Sequence, residues 1–158
     1  MRSALVAVTI IAFPPIAVAE DPGLCADPDL FGHDRQVVSL DHGTDGATAG
    51  DTRTGRITLH TAAGAEAVEA MWHTTVLKRS DEGNDAYMGE YAFEDEHGVL
   101  FGRFIHGAKF DFHQIDHRPQ SLDVAILGGL GAYQNATGLI ELDLTAEPIA
   151  YTFSVACQ

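Results

Sequence analysis

The stretch from Gly128 to Gly138 reads Gly-Gly-Leu-Gly-Ala-Tyr-Gln-Asn-Ala-Thr-Gly and lies between two apolar runs, Leu122–Leu127 and Leu139–Leu144. Its four glycines let the backbone take positive φ and bend sharply where a Cβ would clash. Tyr133, the aromatic in the middle, can fold back as a plug. The context argues against a phosphate-binding loop. No Lys-Ser/Thr pair follows the glycines, and downstream Leu142 and Leu144 alternate with Glu141 and Asp143 as in a strand. The segment therefore reads as a strand, a tight loop and a strand, forming a corner of an all-β protein. Within it, Asn135-Ala136-Thr137 has the form of a glycosylation acceptor and reads here as turn chemistry.

Alternation of period two recurs along the chain. Arg35–Leu40 is a short apolar strand after an irregular Asp/Pro/Gly-rich opening, Asp21–Asp34. Asp41–Gly50 has no periodicity and reads as a loop. Gly55–Thr61 sets Ile57, Leu59 and Thr61 against Arg56, Thr58 and His60. In Ala67–Lys78, Val68, Ala70, Trp72, Thr74 and Val76 share one face, and Met71, His73 and Leu77 the other. Ala and Glu also permit a helix over Ala65–Met71, but the β-branched run from Thr74 to Val76 favours a strand. Ala86–Glu96 alternates sharply, His97-Gly98 forms a hairpin turn, and Ile149–Val155 closes the set. Val99–His106 and Ser121–Leu127 are apolar on both faces, a pattern that requires a second layer outside the sheet. About eight strands, short turns and no long helix predict a single eight-stranded antiparallel β-barrel, because closure removes exposed edges. An eight-stranded barrel has an interior that side chains fill, or nearly fill around one small ligand.

The pattern Gly128-Gly129-x-Gly131-x-Tyr133-x-x-Ala136-x-Gly138 resembles the signature of the allene oxide cyclase and dirigent barrel superfamily. Upstream, Gly50-Asp51-Thr52-Arg53, a strand, the Gly64 turn and another strand are similar to that group's early segment. The matches run from about Gly50 to Val155. Leu59-His60 departs from the Leu-Tyr often found there. The resemblance implies a cup that binds a small hydrophobic or phenolic molecule and guides its stereoselective cyclisation or coupling. It also implies a homotrimer, with the two doubly apolar strands as its interface.

Met1–Ala19 reads as a secretory signal peptide: Arg2, an apolar core over Ala4–Phe13 too short to span a bilayer, and small residues at Ala17 and Ala19. The expectation is a secreted or periplasmic protein with one domain over residues 20–158 and no membrane insertion after cleavage. Twenty-three Asp and Glu against nine Lys and Arg argue against nucleic acid and anionic membrane surfaces as partners. In an oxidising compartment the two cysteines, Cys25 and Cys157, can pair and tie the two ends of the mature chain together.

The pocket candidates are the aromatics Trp72 (or Met71 on the opposite face), Tyr87, Tyr91, Phe93, Tyr151 and Phe153, joined by His73 and Arg103. Arg103 lies in an apolar strand and needs a partner, either Glu90 on the neighbouring hairpin strand or an anionic ligand head. His60 and His73 sit on adjacent strands and would meet if the register allows, with Glu69 nearby. Asp111, His113 and His117 share a face of an extended segment and are weak candidates for a metal, their spacing matching no specific site. No cofactor is expected. The rival functions are a non-enzymatic carrier of a small ligand and a His-rich metal-binding protein.

Overall fold

The computed structural model describes residues 23–43, 48–78, 85–108 and 120–158. A 3₁₀ turn, Gly23–Ala26, precedes eight strands: β1 (Asp29–Leu40), β2 (Thr52–His60), β3 (Glu66–Lys78), β4 (Asp85–Asp95), β5 (Gly98–Ala108), β6 (Ser121–Gly131), β7 (Thr137–Asp143) and β8 (Ile149–Ala156). Each strand pairs antiparallel with the next, and β8 returns to β1, so the sheet is the closed eight-stranded barrel that the alternation predicts. The closing pair is short, Asp29–Gly32 against Ile149–Thr152.

Two sequence-based expectations are corrected. β1 starts at Asp29, within the segment expected to be irregular. Tertiary contacts offset its poor strand composition: Leu30 is buried, and the Asp29 carboxylate accepts the Thr152 hydroxyl at 3.0 Å. The helix alternative for Ala65–Met71 gives way to β3, because the alternate residues Val68 and Ala70 are both buried in the barrel.

The up-and-down order puts the turns at 61–65, 96–97 and 132–136 at one end, together with the Gly23–Ala26 turn and the C-terminus. This end is closed. Tyr133, buried in the β6–β7 turn, folds back as a plug: its hydroxyl donates to Asp95 and accepts the Leu24 N–H. Asp95 also accepts the backbone N–H groups of His97 and Gly98. Cys25 and Cys157 form a disulfide with their Cα atoms 5.9 Å apart. Asp27 accepts the Val155 N–H at 2.9 Å, and Pro28 the Phe153 N–H at 3.2 Å. The N-terminal segment is thus strapped under the barrel. Above it one apolar cluster, which includes Leu30, Leu59, Phe93, Leu100, Ile140 and Phe153, fills the barrel and reaches as far as Phe104. The strand ends at Leu40, Lys78, Asp85, Ala108 and Ser121 lie at the opposite end, the mouth.

Candidate functional site

The lumen is built in layers set by strand register. One layer runs Gly55, Trp72, Tyr91, Gly102 across β2–β5. The layer nearer the mouth runs Arg53, Thr74, Gly89, Phe104, and the next contains Val76, Tyr87 and His106. In each of three cross-strand pairs an inward glycine stands opposite an inward aromatic: Gly55 and Trp72, Gly102 and Tyr91, Gly89 and Phe104. A Cβ on Gly55 would collide with the Trp72 indole, and one on Gly89 with the Phe104 ring. These two rings therefore lie across the wall instead of pointing to the axis. A strand glycine in this position marks a close approach that a side chain would prevent.

The buried apolar residues of the lumen form two clusters, and the larger one reaches this level through Phe104, with Tyr91 packed against it. Val76 and Tyr87 pack together as the smaller cluster. Tyr91 faces inward, stacks on Phe93 at 5.3 Å with the rings 8° from parallel, and is only half-buried. Phe104 tilts over it at 46° with centroids 6.0 Å apart. Between the two packed regions lie Trp72 and Thr74, both buried, with Arg53 in register beside Thr74. The candidate site is this aromatic-rich level of the mouth half, where Thr74 and Arg53 are the polar residues in register with the inward rings, a lining suited to a small and largely apolar molecule.

The structure sorts the sequence-based pocket candidates by face. Trp72, Tyr87 and Tyr91 face inward in the mouth half. Phe93, Tyr151 and Phe153 face inward too and belong to the main apolar cluster, where edge-to-face contacts at 6.4 Å and 5.3 Å lock Phe93 against the other two. Met71, His73 and Arg103 lie on the outer face and do not line the lumen, since the inward positions of β3 and β5 are the alternate residues. Arg103 pairs with Glu90, its cross-strand partner, the structural alternative weighed above. His73 is held at 3.2 Å by each of the Thr54 and Thr75 hydroxyls. His60 and His73 do not meet, because the β2–β3 register sets His60 against Glu66 and His73 against Thr54. Glu69 pairs with Arg56.

Asp111, His113 and His117 lie outside the described residues. Among the described residues no group of three His, Cys, Asp or Glu is placed to hold a metal ion. Of the glycine motif, Gly128, Gly131 and Gly138 take positive φ of 109°, 66° and 141°; Gly129 lies against the Val99 carbonyl, and Ala136 is buried. The motif forms the closed end and lies away from the mouth. Thr74 and Phe104 were missed by sequence reading. Their signal was the inward phase of each strand together with the glycine opposite, which only the register reveals.

Burial, and then the hydrogen bond to Asp95, push the Tyr133 phenol well above its usual range and keep it neutral. Asp51, which ties the mouth loop to β2, is held below the usual carboxylate range chiefly by the N–H groups of Thr48 and His42.

The outer face of β5–β7 carries an exposed apolar patch beside Arg103, Asp123 and Glu141. Phe101 is 38% exposed, Leu127 60% and Leu139 40%. The register brings these residues together: Phe101 faces Gly128, and Arg103, Ala125 and Leu139 are in line. A hollow of about 430 Å³ opens here, between Glu90, Phe101, Leu127 and Gln134.

The sequence matches no protein-family model and no curated protein. Solved structures do match. A pyocyanin demethylase superposes with a TM-score of 0.65 at 19% identity, covering 81% of this chain and 98% of that one. The Diels-Alderase AbmU from Streptomyces koyangensis gives 0.58 at 16% identity, covering 80% of this chain and 62% of that one. A nonspecific heme-binding cyclase, which catalyses a [4 + 2] cycloaddition during neoabyssomicin biosynthesis, gives 0.57 at 17% identity, covering 80% and 58%. The chain thus spans less than two thirds of the last two. At these identities the likeness is one of fold: this chain has the small-barrel architecture that the demethylase and the two cyclases also have.

Proposed function

We propose that this is an exported barrel of the allene oxide cyclase and dirigent kind. It takes a small apolar or phenolic molecule into the mouth half of its lumen and guides cyclisation or coupling by holding it in one conformation. The observation that carries this reading is the closed eight-stranded barrel with the inward aromatics Trp72, Tyr87 and Tyr91 in its mouth half, above a closed end sealed by Tyr133. Holding a reactive molecule in a near-reactive geometry, screened from water, accelerates ring closure or coupling without a dedicated acid or base. The names of the three structural neighbours describe proteins that act on small organic molecules, which supports the reading.

Native mass spectrometry of protein purified from the envelope fraction tests it. The expected result is an organic mass that departs on denaturation. Turnover of that molecule marks an enzyme and its unchanged recovery marks a carrier, while no organic mass and no uptake of apolar probes removes both. Export is tested by N-terminal sequencing, which is expected to begin at Glu20. The Cys25–Cys157 disulfide supports an oxidising compartment.

The exposed apolar patch of Phe101, Leu127 and Leu139 on β5–β7 supports self-association, with a trimer as the assembly implied by the family resemblance. The occupant of the Phe101–Leu127–Leu139 surface is a second copy of the chain. Light scattering after size exclusion is expected to give a trimer mass, reduced to the monomer by Leu127→Glu. A wild-type monomer would remove this part of the reading.

A further inference from the structure

β1 runs on past the strand that closes the barrel against it. β8 pairs with it over Asp29–Gly32, and β2 over Phe31–Leu40. Among the described residues, the mouth part of β1 therefore has a strand partner on one edge only. That part is exposed on both faces from Gln36 to Leu40. On the outer side Val38 is 65% exposed and Leu40 56%, and on the inner side Val37, opposite Gly55, is 43% exposed. An open edge offers a row of backbone N–H and C=O groups to another strand, and proteins blunt it with charge, proline or a bulge. The bulge of β1 comes earlier, between Gly32 and Asp34, and Gln36–Leu40 contains neither a charge nor a proline.

We propose that this edge pairs with the same edge of a second copy, antiparallel about a two-fold axis at Val38. In that register Val38 faces its own counterpart, Leu40 of each copy is the diagonal neighbour of that pair on the outer side, and Val37 meets Ser39 on the inner side. Arg35 of each copy comes opposite Asp41 of the other, unlike charges at both ends. An axis at Val37 would instead set Leu40 against Asp34 and lose that match. With a net charge of -14 two copies repel at long range, so they meet where acidic residues are absent or are matched by a base. The edge lies four strands around the barrel from β5. The contact is thus separate from the three-fold one proposed above and does not rest on the lumen-binding reading. One strand a side buries less surface than a standard interface, so pairing grows with protein concentration.

Cysteine crosslinking tests the register, since the two native cysteines are joined to each other. Directly opposed residues of antiparallel strands have Cα atoms about 4.5–5.5 Å apart, within reach of a disulfide. Under mild oxidation Val38→Cys is expected to form a covalent dimer. Gln36→Cys and Leu40→Cys are each expected to stay uncrosslinked alone and to crosslink when mixed. Sedimentation of Leu127→Glu, which removes the three-fold contact, is expected to show a mass that doubles as concentration rises. Adding Val38→Lys, which sets like charges across the axis, is expected to hold the mass constant. Circular dichroism confirms that each variant is folded; should Leu127→Glu not fold, the crosslinking pattern decides. No crosslink at Val38→Cys, equal crosslinking at residues 36, 38 and 40, or a mass of Leu127→Glu independent of concentration overturns the pairing and leaves the trimer and lumen readings intact.

Discussion

Leu24 donates its backbone N–H to the Tyr133 hydroxyl at 3.2 Å across a separation of 109 residues. That one contact joins the start of the described chain to the glycine-rich turn and seals the closed end. The same hydroxyl donates to Asp95, so Tyr133→Phe leaves a buried N–H and a carboxylate oxygen without their partner. The expected loss of stability is about 1–3 kcal/mol, read from denaturant titration.

Tyr133 also predicts an alkaline limit. Its phenol ionises well above the ordinary value of 10.0 in the folded protein, so between the two values the folded state binds more protons than the unfolded one. The associated stability is intact below about pH 10 and falls as pH rises further, because the unfolded chain ionises first. Unfolding followed from pH 9 to 12 is expected to show a steeper decline for wild type than for Tyr133→Phe.

The Cys25–Cys157 bond spans a sequence separation of 132 and, on the chain-entropy model, is worth about 4–5 kcal/mol. A Cys25→Ser, Cys157→Ser double variant is expected to lose that much. Wild type under a dithiol reductant should unfold at the same denaturant concentration as the variant. A midpoint shared by oxidised wild type and the variant would contradict the strap.

Gly55→Ala places a methyl where the Trp72 indole lies. The ring must leave the wall, at a cost of about 1–3 kcal/mol for overpacking. Trp72 is the only tryptophan of the chain, so its emission reports the move directly. A red shift toward solvent is expected, with weaker uptake of apolar probes, because the displaced ring enters the lumen.

Arg103→Gln separates a surface pair from a ligand anchor. Arg103 and Glu90 are both about half-exposed on the outer wall. Exposed ion pairs contribute little, so the expected change is under about 1 kcal/mol, with binding of lumen probes unchanged.

Much of the architecture is legible in the residues alone. Period-two alternation marks the strands, the Gly128–Gly138 run marks the corner, and Tyr133 is identified as the residue that folds back. The pairing of the cysteines follows from their type and number. These are local properties: alternation, glycine torsion and chemical identity act within a few residues, so one chain read in order contains them.

The lumen was decided elsewhere. Along β3 both faces carry apolar residues, and nothing within the strand says whether Met71 or Trp72 turns inward. Closure of the barrel makes that choice, and with it sends His73 and Arg103 to the outside. Likewise Gly55 and Trp72, or Gly89 and Phe104, are unrelated positions until antiparallel register sets them opposite each other. A pocket of this kind is a relation between strands, created by pairing and curvature, and its physical cause exists only once the sheet has closed.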